Sequence, residues 1–235
     1  MTAPGIPGDA DAHASGTTPT GATPTAVIFA GGDPPEHEVL RGLPEVAYVI
    51  AADSGLVHAQ QAGFAVDVVI GDLDSAPADA LDDARIEGVE IAEFPEDKDQ
   101  TDLELAFERA LEVGVDSLVV LCADGGRPDH FLANVGLLAR DRYSSMRITA
   151  FFGRCRVAVV RDTVTLHGQI GDLLTLLAVG GPASDITTTG LHWPLTAATV
   201  APGETRGVSN TFDTGSATVT IGRGVLFAIQ PEGTR

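Results

Sequence analysis

Residues 68–77, VVIGDLDSAP, place Asp72 and Asp74 two positions apart directly after a run of aliphatics. Two carboxylates that close repel each other, and each is costly to desolvate. In an extended segment, residues i and i+2 project to the same side, so both can face one ion. Hard oxygen ligands at this density suit Mg²⁺, which keeps some waters and shares its coordination with substrate phosphates. The sequence therefore predicts a metal ion carrying a phosphate chain at the end of a core strand.

Three further polar clusters follow the same pattern of sitting just beyond a strand-like run. AADSG contributes Asp53, DKDQTD contributes Asp97, Asp99 and Asp102 around Lys98, and ADGGRPDH contributes Asp124, Arg127, Asp129 and His130. Each has a plainer explanation. Thr101 followed by Glu104 matches a capping box, and Asp102 then suits the positive end of a helix dipole. Pro128 fits a first helical turn, with Asp129 and His130 following it, which favours a structural role for His130. Capping does not explain why all four clusters crowd one sheet edge, and for the set the metal–phosphate reading is preferred.

Phosphates would be held without a P-loop, because no G-x-x-x-x-G-K-[ST] occurs. AGGDPP after the first strand is glycine-rich but is no dinucleotide fingerprint. The anchors left are the metal-bound carboxylates, Arg127 and backbone N–H groups around Gly31 and Gly32. No Ser-His-Asp or Cys-His arrangement stands out.

The bulk numbers agree with a small-ligand enzyme. With 33 acidic and 14 basic residues, the 235-residue chain carries a formal charge of −19. No basic stripe could neutralise a nucleic-acid backbone. Lys98 is the single lysine and lies inside the most acidic stretch. No run approaches the roughly 18 apolar residues needed to cross a bilayer. Cys122 and Cys155 lie in apolar runs without metal-ligand spacing and read as reduced core thiols of a cytoplasmic protein. Residues 1–24, rich in Pro, Gly, Thr and Ala, read as a disordered tail and lack the features of a signal peptide.

Elements able to position these clusters are legible from residue 25 onward. TAVIFA, VAYVIA, VDVVIG, SLVVLC and RITAFF alternate with helical stretches, the clearest being TDLELAFERALEVG with its apolar stripe at Leu103, Leu105, Ala106, Ala110 and Leu111. That alternation predicts an open, mostly parallel, Rossmann-like α/β/α sheet over residues 25–152. From residue 153 the segments are short, β-rich and punctuated by Gly, Pro and Asp. They predict an antiparallel β-sandwich domain over residues 153–235.

AADSG, GDLDS, DKDQTD and GGRPDH, in this order and spacing, together with GLHWPL, GVSNTF and a final hairpin VTIGRGVLFAI, resemble the thiamine pyrophosphokinase family. The likeness spans nearly everything after the tail. It implies transfer of the β,γ-pyrophosphoryl group of ATP to the hydroxyl of thiamine, with release of AMP. It also implies a homodimer with active sites at the subunit interface. By motif match Asp72, Asp74 and an aspartate of DKDQTD hold Mg²⁺. Asp99 is preferred over Asp97 and Asp102, with Asp53 nearby. Arg127 and Asp129 contact the nucleotide phosphates and the reacting centre, and Asp129 or a DKDQTD carboxylate takes the hydroxyl proton. Trp193, Ser209 and Asn210 match the thiamine-binding positions. Apart from the resemblance, a lone Trp in a β domain reads as core packing and Ser209-Asn210 as an ordinary turn.

Competing readings are a same-fold pyrophosphokinase for another alcohol such as a hydroxymethylpterin, and a non-catalytic nucleotide- or thiamine-binding module. The paired carboxylates argue against the module. A metal-dependent phosphohydrolase would also use clustered aspartates but needs no acceptor.

Overall fold

A computed structural model of the chain describes residues 24–233. Most of the predicted tail, residues 1–23, lies outside them. The β-rich runs form strands β1 (Thr25–Phe29), β2 (Tyr48–Ala52), β3 (Val68–Gly71), β5 (Ser117–Leu121) and β6 (Arg147–Phe152). A further strand, β4 (Glu90–Glu93), pairs in parallel with β3 at the sheet edge. Its sequence, EIAE, is polar at both ends because only its middle residues are partly covered, and so it carried no apolar run.

The parallel strands order as β6-β5-β1-β2-β3-β4. After β1 the chain moves outward through β2, β3 and β4, then returns to the other side of β1 as β5. The strand order therefore reverses between β1 and β5, where an open sheet leaves a crevice beyond its carboxyl ends. Val27 and Phe29 of β1 face a layer containing α1 (His37–Arg41) and α2 (Gly55–Gln61). Ala26 and Ile28 face α4 (Asp102–Val113) and α5 (Pro128–Leu138). The short α3 (Ala78–Ile86) covers the β3 side through Leu81 and Ala84.

Helix α4 has the expected bounds for local reasons. Thr101 caps it by accepting the Glu104 N–H at 3.2 Å, and Gly114 ends it in the left-handed region at φ 77°. Between them Leu103, Ala106, Phe107 and Ala110 are buried against the sheet.

The boundary expected after residue 152 falls in a tight hairpin, and the sheet does not break there. β7 (Cys155–Val160) pairs antiparallel with β6, and β14 (Leu226–Gln230), β9 (Leu173–Ala178) and β12 (Asn210–Thr211) extend the same sheet to ten strands. A second sheet, ordered β11 (Ala198–Val200), β10 (Ala183–Thr189), β13 (Ser216–Thr220), β8 (Thr163–His167), packs on this extension. Leu166, Ile186, Phe212, Val219 and Leu226 fill the space between the two layers. One layer of the β-sandwich is thus the continuation of the α/β sheet. The segment expected as a final hairpin is instead a crossing. β13 pairs with β8 and β10, whereas β14 pairs with β7 and β9, so residues 221–225 carry the chain from one layer to the other.

Because α4 presents Asp102 in its first turn, its cap bears on the site as well as on stability. Thr101→Ala is expected to lower unfolding free energy by about 1 kcal/mol, read as a shifted midpoint with unchanged slope in urea denaturation.

Candidate active site

At the carboxyl ends of β1, β2, β3 and β5 lies a cleft of about 550 Å³. Asp53, Asp72, Lys98, Asp102, Asp124, Arg127 and His130 are among its lining residues. A larger groove of about 910 Å³ runs over β5–β7 between α1 and β8. None of the sequence-predicted site residues lines that groove, so the smaller cleft is the candidate site.

Asp72 and Asp74 are brought together by a turn and not by strand alternation. β3 ends at Gly71, and Leu73 adopts the left-handed conformation at φ 62° with its side chain buried against Leu56, Val69 and Leu81. Leu73 and Ala76 anchor the loop in this apolar cluster while Asp72 and Ser75 line the cleft and Asp74 stands exposed beside them. The Asp74 N–H lies 3.4 Å from Asp72 Oδ1. Asp53, at the end of β2, is also left-handed at φ 51°, an unusual conformation for a residue with a β-carbon and typical of functional sites. Asp53, Asp72 and Asp74 each offer an oxygen within 4.8 Å of the others.

Gly71 explains how close the acids come. A β-carbon there would stand 3.2 Å from the Asp102 carboxyl and 3.3 Å from the Asp53 β-carbon, at a φ of 152°. Asp102 therefore shares the wall with Asp53, whereas Asp97 and Asp99 are exposed and are not brought into the converging group. Asp53, expected only nearby, takes the third place in the triad that Asp99 was expected to fill.

The electrostatics are uneven. Lys98 holds the Asp72 carboxyl below its usual range, while the negative Asp72 raises Asp74. Burial raises Asp102 more than its ion pair with Lys98 lowers it. Among the described residues, two buried oxygens, Asp53 Oδ1 and Asp102 Oδ1, have no hydrogen-bond partner. Lys98 Nζ lies 3.1 Å from the latter, an ion-pair distance without hydrogen-bond geometry. Converging carboxylates with buried, unsatisfied oxygens are the donor set that fits a hard divalent cation.

Other predicted residues have different roles. The Gly32 N–H donates to the Cys122 carbonyl at 2.7 Å and is therefore not a free phosphate donor. A side chain at Gly32 would meet the Asp124 carbonyl at 1.9 Å, so this glycine lets the β1 and β5 turns touch. Gly31 lines the same cleft wall. Arg127 and Asp129 bond to each other through two contacts, at 3.1 and 2.5 Å, and both are largely exposed. Arg127 depresses Asp129 to a pKa of about 2, which makes Asp129 a poor proton acceptor near neutral pH. His130 lies in the first turn of α5 and is exposed along the cleft, beyond a merely capping place.

Three residues that the sequence reading passed over support the site. Ser75 Oγ donates to Asp53 Oδ2, His58 Nε2 bonds the Gly32 carbonyl at 2.8 Å, and Asn134 Nδ2 donates to the Ala123 carbonyl at 2.9 Å. They act through backbone and across elements, so spacing alone could not mark them.

Trp193, Ser209 and Asn210 do not line this cleft; all its walls come from residues 30–134. Trp193 is 59 % exposed and meets His192 edge to face at 4.6 Å, which rules out the core-packing reading. Asn210 is buried, donates to the Trp193 carbonyl at 2.8 Å and accepts the Trp193 N–H at 3.0 Å. It is a clamp for the tryptophan loop. Ser209 supports the adjoining turn, left-handed at φ 58°, with its N–H on Thr175 Oγ1 at 3.0 Å. The two free cysteines have raised pKa values through burial, Cys122 to about 12, and neither is poised as a nucleophile.

Fold and site together define an α/β protein with a cleft lined by converging carboxylates at the switch point of its sheet and an aromatic-bearing sandwich extending it. Residues 41–150 match the family model described as thiamin pyrophosphokinase, catalytic domain, and residues 163–226 match thiamin pyrophosphokinase, vitamin B1 binding domain. Thiamine pyrophosphokinase 1 of Oryza sativa subsp. japonica is 28 % identical over 82 % of this chain and 75 % of its own length. The Bacillus subtilis thiamine pyrophosphokinase is 27 % identical over 77 % of this chain and 86 % of its own. A crystal structure of thiamine pyrophosphokinase from Bacillus subtilis superposes with a TM-score of 0.77 at 25 % identity, covering 90 % of this chain and 99 % of that one. The Candida albicans thiamin pyrophosphokinase shares the fold at a TM-score of 0.73 and 11 % identity, covering 89 % of each chain. The chain belongs to the thiamine pyrophosphokinase family.

The clamp and the ring separate by mutation. Asn210→Ala leaves two backbone groups of Trp193 without their partner and is expected to cost about 1–3 kcal/mol. Trp193→Ala removes an exposed ring and is expected to change stability by no more than about 0.5 kcal/mol. Urea unfolding of both variants checks the contrast.

Proposed function

We propose that the protein is a thiamine pyrophosphokinase that moves the β,γ-pyrophosphoryl group of ATP onto the hydroxyl of thiamine, giving thiamine diphosphate and AMP. The observation that carries the reading is the convergence of Asp53, Asp72 and Asp74, with Asp102 beside them, in a cleft at the switch point of a family-typical sheet. Neither the hydroxymethylpterin reading nor the non-catalytic module is favoured, since both family models match and the acidic cluster is intact.

In this reading Asp72 and Asp74 hold Mg²⁺ together with Asp53, and Asp102 closes the acidic wall. When bound, the ion supplies charge neutralisation for the phosphates and for the departing AMP. Arg127 leaves its exposed pair with Asp129 to meet nucleotide phosphate, an exchange favoured because phosphate also accepts a bidentate guanidinium. Asp129 serves before that exchange, holding the guanidinium at the cleft until phosphate replaces it. The hydroxyl proton passes to a carboxylate of the DKDQTD group, of which Asp102 is the member that burial makes more basic.

Thiamine would stack on Trp193. Because this ring stands outside the acidic cleft of its own chain, the reading includes a homodimer in which one protomer's Trp193 faces its partner's carboxylates. Among the described residues no helix is long and apolar enough to cross a membrane. We place the reaction in the cytoplasm, where ATP is plentiful and the two free thiols stay reduced.

Purified protein incubated with MgATP and thiamine is expected to form thiamine diphosphate and AMP in step, and neither without Mg²⁺. ADP or inorganic phosphate as the nucleotide product would overturn the reading in favour of a kinase or hydrolase. Asp72→Asn and Asp74→Asn are each expected to lower kcat at least ~100-fold, given the electrostatic share of such catalysis, with an unchanged circular-dichroism melt. Near-wild-type turnover in either variant would sink the metal assignment.

A further inference from the structure

Lys98 is the single lysine of the chain, and its side chain is only 14 % exposed. A lysine on a solvated acidic loop normally extends its ammonium into water. Here the loop turns on the Lys98 N–H bond to the Glu96 carbonyl at 3.0 Å and directs the side chain inward. Its ammonium stands 3.1 Å from Asp72 Oδ2 and 3.1 Å from Asp102 Oδ1, bridging the β3 loop to the first turn of α4. Flanked by two carboxylates at ion-pair distance, the ammonium has its counter-charge on both sides of the loop. The cluster of four carboxylates is therefore not bare: one built-in cation already lies among them.

Resting on the magnesium reading of Asp72 and Asp74, we propose that Lys98 is the resident counter-cation of this cluster. Its ammonium, held between Asp72 and Asp102, competes with a free divalent ion for Asp72, so that the site takes the metal as its nucleotide complex in preference to the bare ion. The physical reason is simple. Two cations on the same carboxylates repel each other strongly at separations of a few ångströms inside a partly buried cleft. Nucleotide phosphates bring negative charge with the metal, and the ammonium then faces phosphate oxygen in place of an uncompensated dication. Neutralising Lys98 should thus tighten binding of the free ion, the opposite of what loss of a merely structural contact does.

The test is calorimetric titration of MgCl₂ into the full-length wild type and Lys98→Gln, each with and without a non-hydrolysable ATP analogue. Lys98→Gln is expected to bind free Mg²⁺ roughly tenfold more tightly than wild type, as befits removal of one neighbouring unit charge, and the gap is expected to narrow with the analogue. In EDTA the variant should melt below wild type, and Mg²⁺ should raise its melting temperature by more. A folded Lys98→Gln that binds Mg²⁺ equally or more weakly overturns the proposal while leaving the metal site standing. If wild type and variant take up no Mg²⁺ even with the analogue, the magnesium reading falls and this proposal with it. A measurement on the wild type removes dependence on the variant's folding: ¹³C-lysine labelling reports Lys98 alone. Its signal is expected to move as MgCl₂ saturates the site, and a signal that stays fixed while heat records binding overturns the proposal.

Discussion

Mutual repulsion among carboxylates at the ends of β2, β3 and α4 is the constraint around which the rest of the structure is arranged. Asp53, Asp72, Asp74 and Asp102 could each be solvated separately at little cost. Holding them together needs backbone that resists their separation and positive charge that offsets it. The backbone part is visible as two left-handed aspartate-loop residues, Asp53 and Leu73, and a glycine at 71 that leaves room for two carboxyls. The charge part is Lys98, reaching in from a loop that would otherwise only add to the acidity.

The sheet supplies the rigidity that this needs. Leu73 is pinned in the same apolar cluster as Val69 of β3 and Leu56 of α2, so the acidic loop cannot relax without exposing core. Asp102 is fixed through α4, whose buried face spans β1, β2 and β3. Gly32 lets the β1 turn lie against the β5 turn at the switch point, which closes one end of the cleft. Ligand chemistry is thus placed on loops, and their geometry on packed strands.

The sandwich has a different task. It continues the catalytic sheet through β7, β14 and β9, which makes one continuous body of two family regions. On it, Trp193 is presented to solvent by a buried asparagine that satisfies the loop's own backbone. Packing does not account for an exposed aromatic ring of this size, and the proposed function uses it as the surface on which thiamine stacks.

The sequence by itself determined the strands β1, β2, β3, β5 and β6, the capped helix α4 and the carboxylates worth suspecting. Each of these rests on short-range physics: apolar runs, Thr101 with Glu104, Asp72 with Asp74. It also carried the ordered motifs that mark the family. Only the tertiary structure decided which acids meet. Asp53 and Asp102 converge with the Asp72–Asp74 turn because β2, β3 and α4 are neighbours in the fold, while Asp99, closer in sequence to Lys98, stays in solvent. Pairing between distant strands likewise decided that β13 and β14, expected as one hairpin, belong to different layers. Two β-rich runs, SATVT and LFAIQ, around a glycine-containing connection read the same under either arrangement, and only their pairing with distant strands distinguishes them.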